Sequence, residues 1–134
     1  MLDVERLKSL SGKIYSYSVI PNDLALKWSE GFDAEVLGLI STSGLLKIIH
    51  ACGHTLLSEF ETDGLVSVVS RTGIEHFAPV LMDIELTIHL KVEEVNGFDI
   101  VLSGMVFQRD LKRASFEFTR RFVSLDFLRR SVSA

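Results

Sequence analysis

The chain has 134 residues, 47% of them hydrophobic, and carries a formal net charge of -4 at pH 7. This length is enough for one domain with a sizeable core, so we expect residues 1–134 to form a single domain. The negative charge argues against nucleic acid and against an anionic membrane surface as partners, because neither would attract an acidic protein. Cys52 is the single cysteine, which excludes an intrachain disulfide and a cysteine metal cluster.

Neither the N-terminus nor any internal segment has the pattern of a targeting or membrane-spanning segment. The N-terminal residues lack the apolar core of a signal peptide, and no uninterrupted apolar run has the length of a bilayer span. We therefore expect a cytoplasmic protein without a membrane partner.

The first 40 residues predict short elements. In chain order we expect a helix over residues 2–10, a strand over 13–20, a turn at 21–23, a short strand over 24–28 and a loop over 29–37. Tyr15, Tyr17 and Val19 share one face of the first strand, since side chains alternate along a strand.

The most apolar segment, residues 41–60, predicts a long helix. Ser41, Thr42 and Ser43 offer three candidate N-caps at its start. Apolar side chains cover most of its circumference, so we expect it to be buried on most sides. Four polar residues fall on one narrow stripe: Lys47, His50, His54 and Ser58. Gly53 is unfavourable in a helix by about 1 kcal/mol relative to alanine, which indicates close approach of another backbone.

The second half of the chain predicts four strands. Apolar and polar residues alternate, most clearly after Asp83, and Asn96 with Gly97 forms a hairpin turn. The strands are expected over residues 65–76, 83–95, 98–108 and 114–123, followed by a short helix over 124–133. Such a sheet would curl around the long helix, and its exposed edges favour pairing with a second copy. We expect a homodimer, or a tetramer formed from two such dimers.

This order of elements resembles the hotdog fold, an α+β fold in which an antiparallel sheet wraps around one long central helix. Four features carry the resemblance: Glu35-Val36-Leu37 before the helix, Ala51-Cys52 within it, the His76-x-Ala78-Pro79 motif, and the hairpin at Asn96-Gly97. Between residues 35 and 123 the chain is similar to the fluoroacetyl-CoA thioesterase-like group. The resemblance implies an acyl-CoA or related thioester as substrate, with CoA present as part of the substrate and no separate cofactor.

The resemblance also implies three active-site residues. They are a threonine near the helix start, a glutamate on the helix and a histidine at the end of a strand. The histidine corresponds to His76, and the threonine corresponds to Ser41, with Thr42 or Ser43 as alternatives.

The glutamate has no counterpart in this chain, because no Asp or Glu occurs on the predicted helix before Glu59. Its place falls to Ile49, His50 or Ala51, depending on which neighbouring residue anchors the alignment. His50 is our candidate substitute, either holding the attacking water or pairing with His76.

Both histidines have two interpretations on residue chemistry alone. Counting by two from Val66, Val68 and Ile74 places His76 on the helix-facing side of its strand, where it would orient a water or take its proton. Alternatively, His76 is a core histidine with one backbone hydrogen bond. His50 would act beside it, or it belongs to the polar stripe and faces solvent or a partner subunit. Unpaired N–H groups at the helix start would polarise a thioester carbonyl, and they equally fit ordinary helix capping.

A metal site is the remaining candidate. His50 and His54 have the i, i+4 spacing of a zinc pair. However, Ala51 stands where a metalloprotease motif needs a glutamate. We therefore expect no metal.

We interpret the chain as an acyl-CoA thioesterase that hydrolyses a small or medium acyl thioester by histidine-assisted attack of water. One alternative is a hotdog dehydratase or hydratase acting on an acyl thioester, since His76-Phe77-Ala78 partly resembles the motif of those enzymes. The other alternative is a non-catalytic module that binds acyl-CoA or another small ligand, which the missing carboxylate favours.

Overall fold

The computed structural model describes residues 1–133 and places one antiparallel sheet around one long helix. The strands are β1 (Ile14–Val19), β2 (Leu65–His76), β3 (Leu86–Asn96), β4 (Asp99–Gln108) and β5 (Leu111–Ser124). The helices are α1 (Val4–Lys8), α2 (Phe32–Val36), α3 (Thr42–Leu57) and α4 (Leu125–Ser133), with 3₁₀ turns at Leu24–Leu26 and Ser58–Phe60. The sheet order is β1-β3-β4-β5-β2, so β1 and β2 are its edges. The predicted α+β arrangement is confirmed.

The core lies between α3 and the inner face of the sheet. Leu45, Ile49 and Leu57 of α3 are fully buried, and inward side chains such as Leu90 and Phe118 of the sheet belong to the same cluster. A helix that is apolar around most of its circumference needs this cover. Among residues 1–133, no helix combines the length and the apolar character that a membrane crossing needs.

The segment before α3 differs from its sequence prediction. The expected short strand over residues 24–28 is wrong, because Leu24–Leu26 forms a 3₁₀ turn. The carboxylate of Asp23 accepts a hydrogen bond from the N–H of Ala25 and caps this turn. The expected loop over residues 29–37 contains α2, whose first turn carries two carboxylates that suit a helix N-terminus. At residues 24–26, capping by the Asp23 side chain therefore overrides the extended pattern that the apolar residues indicate.

Two strand starts are also shifted. The strand expected from residue 83 begins at Leu86, because Asp83 has a left-handed backbone with φ of 64°. The last strand begins earlier than expected, at Leu111, because Arg109 and Asp110 alone make the turn, with φ of 51° and 61°. Two consecutive residues with positive φ are typical of a type I′ hairpin, which joins strands with only two residues.

A bulge in β2 changes which side of the strand faces the core. The pairing with β5 shifts between Val69 and Arg71, which leaves one extra residue between them. Before the bulge Ser67 is buried, and after it Ile74 and His76 are the partly buried positions. The prediction that Val66 and Val68, in the first half of the strand, share the helix-facing side with His76 is therefore wrong. In the second half the prediction that His76 faces α3 is confirmed.

A buried arginine connects the first half of β2, before the bulge, to α3. Arg120 of β5 is 7% exposed, and its guanidinium donates to the carbonyl oxygen of His50 and to the hydroxyl and carbonyl oxygens of Ser67, each at 3.0 Å. Burial lowers the pKa of Arg120, and the charge of the Glu61 carboxylate opposes that effect. These contacts fix the position of α3 along β2.

We expect Gly104→Ala to destabilise the fold. A Cβ at this position of β4 would lie 1.9 Å from the carbonyl oxygen of His89 and 2.6 Å from the ring of Phe116, so the β3 backbone would have to move. The expected loss in the free energy of unfolding is about 1–3 kcal/mol, as at other overpacked sites. Urea denaturation measures it.

Gly73→Ala is the matched control. A Cβ at this position of β2 meets no atom of its own chain within 4 Å, and the backbone does not have the positive φ that favours glycine. The free energy of unfolding should stay unchanged or rise by about 0.4–1 kcal/mol, because alanine reduces the freedom of the unfolded chain. Equal losses in the two variants would contradict the packing explanation.

Candidate active site

Thr42 and His76 meet where the start of α3 lies against the end of β2. The Oγ1 atom of Thr42 and the Nδ1 atom of His76 are 2.9 Å apart, within hydrogen-bond distance. Thr42 is the first residue of α3 and His76 is the last residue of β2. The structure therefore brings together two of the side chains that the sequence indicates as candidates.

Ser41, the first choice for the threonine of the family pattern, is occupied as a helix cap. Its hydroxyl oxygen accepts a hydrogen bond from the N–H of Gly44 at 2.9 Å. It also donates to the carbonyl oxygen of Leu26 at 3.3 Å. These contacts hold the Ser41 hydroxyl at the helix end, and the hydroxyl that reaches His76 belongs to Thr42.

The second ring nitrogen of His76 has no hydrogen-bond partner among residues 1–133. This atom, Nε2, is enclosed by the protein, whereas Nδ1 meets the Thr42 hydroxyl. Leaving a buried polar atom unpaired costs about 1–3 kcal/mol. In triads of hydroxyl, histidine and acid, a carboxylate accepts the proton of the second ring nitrogen. No described carboxylate makes that contact here, which agrees with the absence of the family's helix glutamate.

A cleft of about 560 Å³ opens beside the Thr42–His76 pair. Its lining includes the start of α3, the segment 77–79, Trp28 and Glu30. The N–H groups of Thr42 and Ser43 find no acceptor in the described part of the chain, and the helix dipole makes this end partly positive. A carbonyl oxygen placed here would be polarised by these groups.

His50 lies apart from His76 within the chain. It follows Thr42 by eight residues, about 12 Å along the helix axis. Its Nε2 atom is 2.8 Å from the Oγ1 of Thr72, and its ring packs on Phe118 with 5.1 Å between the ring centres. His50 therefore does not pair with His76 of the same chain, although it leaves the solvent-facing stripe and points toward β2.

The zinc-pair interpretation finds no third ligand. His50 contacts Thr72, and the Nε2 atom of His54 lies 2.9 Å from the carboxylate of Glu61. Within residues 1–133, no three side chains of His, Cys, Asp or Glu converge as metal ligands.

Sequence reasoning missed Thr72 and Arg120. Thr72 lies four residues before His76 on the same face of β2, but the bulge hides that face from simple counting. Arg120 had a detectable signal, because it is the one charged residue in the alternating inward series of β5, which otherwise holds Ala114, Phe116, Phe118 and Phe122. A charge at such a position indicates a buried, hydrogen-bonded group.

A family model matches most of the chain. The model of the family described as FlK, fluoroacetyl-CoA-specific thioesterase, matches residues 20–125. The chain belongs to this family. No curated protein matches it.

Solved structures confirm the hotdog fold. A hot-dog-like protein from Thermanaerovibrio acidaminovorans has a TM-score of 0.83 at 22% identity and covers 98% of this chain and 95% of its own. The fluoroacetyl-CoA thioesterase FlK has a TM-score of 0.79 at 12% identity, over 92% of this chain and 94% of that one. A thioesterase superfamily member from Thermus thermophilus has a TM-score of 0.78 at 10% identity, and the match covers 92% of this chain and 90% of that one. Further structures hold threonine variants of FlK with fluoroacetate and with acetyl-CoA.

The pKa of His50 makes stability depend on pH. Burial lowers this pKa, and the positive charge of Arg120 lowers it further. The unfolded chain therefore takes up the proton more readily than the native protein. The stability that depends on neutral His50 is complete above the ordinary value of 6.5 and is lost as the pH falls below it.

We expect His50→Gln to lose less stability on acidification than the wild type. Glutamine can keep a hydrogen bond to Thr72 but does not titrate. Urea denaturation at about pH 7.5 and about pH 5.5 gives the difference for each protein, and the difference should be smaller for the variant. The same difference in both proteins would contradict the assignment.

Proposed function

We propose that this protein hydrolyses acyl-CoA thioesters with a small or medium acyl group, using the Thr42–His76 pair. The observation that carries the proposal is the 2.9 Å contact between the two side chains beside an open cleft. Membership of the fluoroacetyl-CoA-specific thioesterase family supports it, as does the acetyl-CoA complex of a FlK variant.

His76 acts on the attacking water through Thr42. Its Nε2 atom is enclosed, so Nδ1 is the nitrogen available, and the Thr42 hydroxyl lies next to it. As water forms its bond to the carbonyl carbon, it gives a proton to Thr42, which passes its own proton to His76. When the C–S bond breaks, the same path returns the proton to the thiolate of CoA.

The helix start stabilises the charge that develops on the carbonyl oxygen. The unpaired N–H groups of Thr42 and Ser43 can donate to this oxygen, because both residues line the cleft. Removing one such donor from an acyl-transfer site typically lowers kcat about 10²–10³-fold. Thr42 therefore contributes to the reaction with both its hydroxyl and its backbone.

We further propose a homodimer joined along β2. This strand has 12 residues and lies at a sheet edge, and its central residues 70–73 are exposed. Pairing of two such strands about a twofold axis near their middle would cover the β2 edge of each copy and leave β1 as the outer edge. His50 contacts Thr72, one of these exposed central residues, so the pairing would place His50 near the contact between the two copies, where we propose that it serves the neighbouring site.

A second candidate is an acyl-CoA binding module without turnover. The favouring observation is that no carboxylate of residues 1–133 contacts His76 and that α3 carries no carboxylate. Such a module would bind acyl-CoA in the same cleft and release it unchanged.

We expect the wild type to hydrolyse acyl-CoA substrates. His76→Ala and Thr42→Ala should each lower kcat at least about 100-fold. Thr42→Ser should keep most of the activity, because the hydroxyl remains. Release of free thiol, followed over a panel of acyl chain lengths, measures this. A parallel assay with a 2-enoyl-CoA tests for hydration instead.

His89→Ala is the matched control for loss of a histidine. His89 lies on the outer face of β3, against Phe107, and its removal should leave turnover unchanged. Full activity of His76→Ala would refute the catalytic role. If mass spectrometry found an acyl group bound covalently to Thr42, the mechanism would be direct attack by the threonine hydroxyl and not attack by water.

Light scattering coupled to gel filtration tests the dimer. The expected mass is twice the 15.0 kDa of one chain. A single-chain mass at micromolar concentration would refute pairing along β2 and with it the role of His50 in the neighbouring site.

A further inference from the structure

Phe77 and Lys112 form an exposed pair beside the cleft: Phe77 lines the cleft, whereas Lys112 lines a neighbouring depression on the outer face of the sheet. Phe77 directly follows His76 and lines the cleft, yet 53% of its side chain is exposed. The Lys112 ammonium lies 5.6 Å from the centre of its ring, within the range of a cation–π contact. The pair therefore presents an apolar surface and a positive charge side by side, next to the catalytic candidates.

The backbone holds this pair in a fixed geometry. The N–H groups of Phe77 and of the next residue both donate to the carbonyl oxygen of Arg113 at 3.1 Å. The guanidinium of Arg113 donates to the carbonyl oxygen of Pro79 at 3.1 Å and to that of Gln108 at 3.0 and 3.2 Å. The segment that carries Phe77 is thus attached to the β4–β5 hairpin that carries Lys112.

The charges around the cleft are unequal. The β4–β5 hairpin contributes Arg109, Lys112 and Arg113 against the single acid Asp110, whereas the cleft lining itself contains Glu30. Lys112 forms no salt bridge within the described part of the chain. An anionic group approaching the cleft is therefore attracted toward Lys112 and repelled by Glu30.

We infer that Lys112 binds a phosphate group of the pantetheine carrier that holds the acyl group, and that the ring of Phe77 packs against the pantetheine chain leading to it. The inference rests on the proposed function, because it names the carrier for the same cleft. A phosphate joined to pantetheine occurs in CoA and in the phosphopantetheine group of carrier proteins. That phosphate ester is the chemistry the pair recognises.

Calorimetric titration with CoA, 4′-phosphopantetheine and pantetheine tests the inference. Lys112→Glu should weaken CoA binding about tenfold, the order expected for reversing one exposed charge contact. The loss should be at least fivefold smaller for pantetheine and should shrink at high salt. A loss shared by CoA and 4′-phosphopantetheine supports the inference, because both carry the phosphate joined to pantetheine. A loss with CoA alone would place the contact on the nucleotide phosphates and overturn the inference.

Lys13→Glu is the matched charge reversal. Lys13 is exposed and precedes β1, the edge strand opposite β2, and the same change of charge there should leave CoA affinity within twofold of the wild type. Equal losses for CoA and pantetheine in Lys112→Glu, no loss, or an equal loss in Lys13→Glu would overturn the inference. The titration measures binding without turnover. Absence of hydrolysis would therefore refute the proposed function without deciding whether Lys112 binds the phosphate.

Discussion

The position of α3 along β2 determines what the site contains, and buried Arg120 fixes that position. Its guanidinium donates at once to the His50 carbonyl of α3 and to two oxygens of Ser67 in β2. Burying a cation costs several kcal/mol, which three hydrogen bonds to a charged group, each about 1.5–3 kcal/mol, can offset. With this register set, the start of α3 lies against the end of β2, and Thr42 reaches His76.

The bulge in β2 completes this arrangement. If the same residues of β2 alternated regularly, with no bulge between Val69 and Arg71, the face that carries Ser67 would continue through residues 69, 71, 73 and 75, and His76 would point away from the helix. The bulge allows one strand to direct Ser67 to Arg120 in its first half and His76 to Thr42 in its second half. The structural anchor and the candidate catalytic histidine therefore share one strand without competing for one face.

The fold was accessible from the sequence because its signals are periodic. The long apolar helix and the alternating strands after Asp83 survive errors of one or two residues at their ends. The site depends on single-residue events that periodicity does not record. Adjacent hydroxyls at 41 and 42 look equivalent in a sequence, and only the capping bond to Gly44 assigns Ser41 to the helix end. Likewise, the family pattern allows His50 at the position of the missing glutamate. The sequence pattern does not record the distance along α3 that separates His50 from His76 of the same chain.

The missing carboxylate has a definable chemical consequence. In serine triads, replacing the acid with its amide lowers kcat by roughly 10⁴-fold, because the histidine is no longer held in the right tautomer. Here the Thr42 hydroxyl contacts Nδ1, the nitrogen that would take the proton, while Nε2 finds no acceptor among residues 1–133. Within that part of the chain, His76 is oriented by its burial and by Thr42. In the proposed reaction the carbonyl is already activated because the substrate is a thioester, and the N–H groups of the helix start would supply the remaining polarisation.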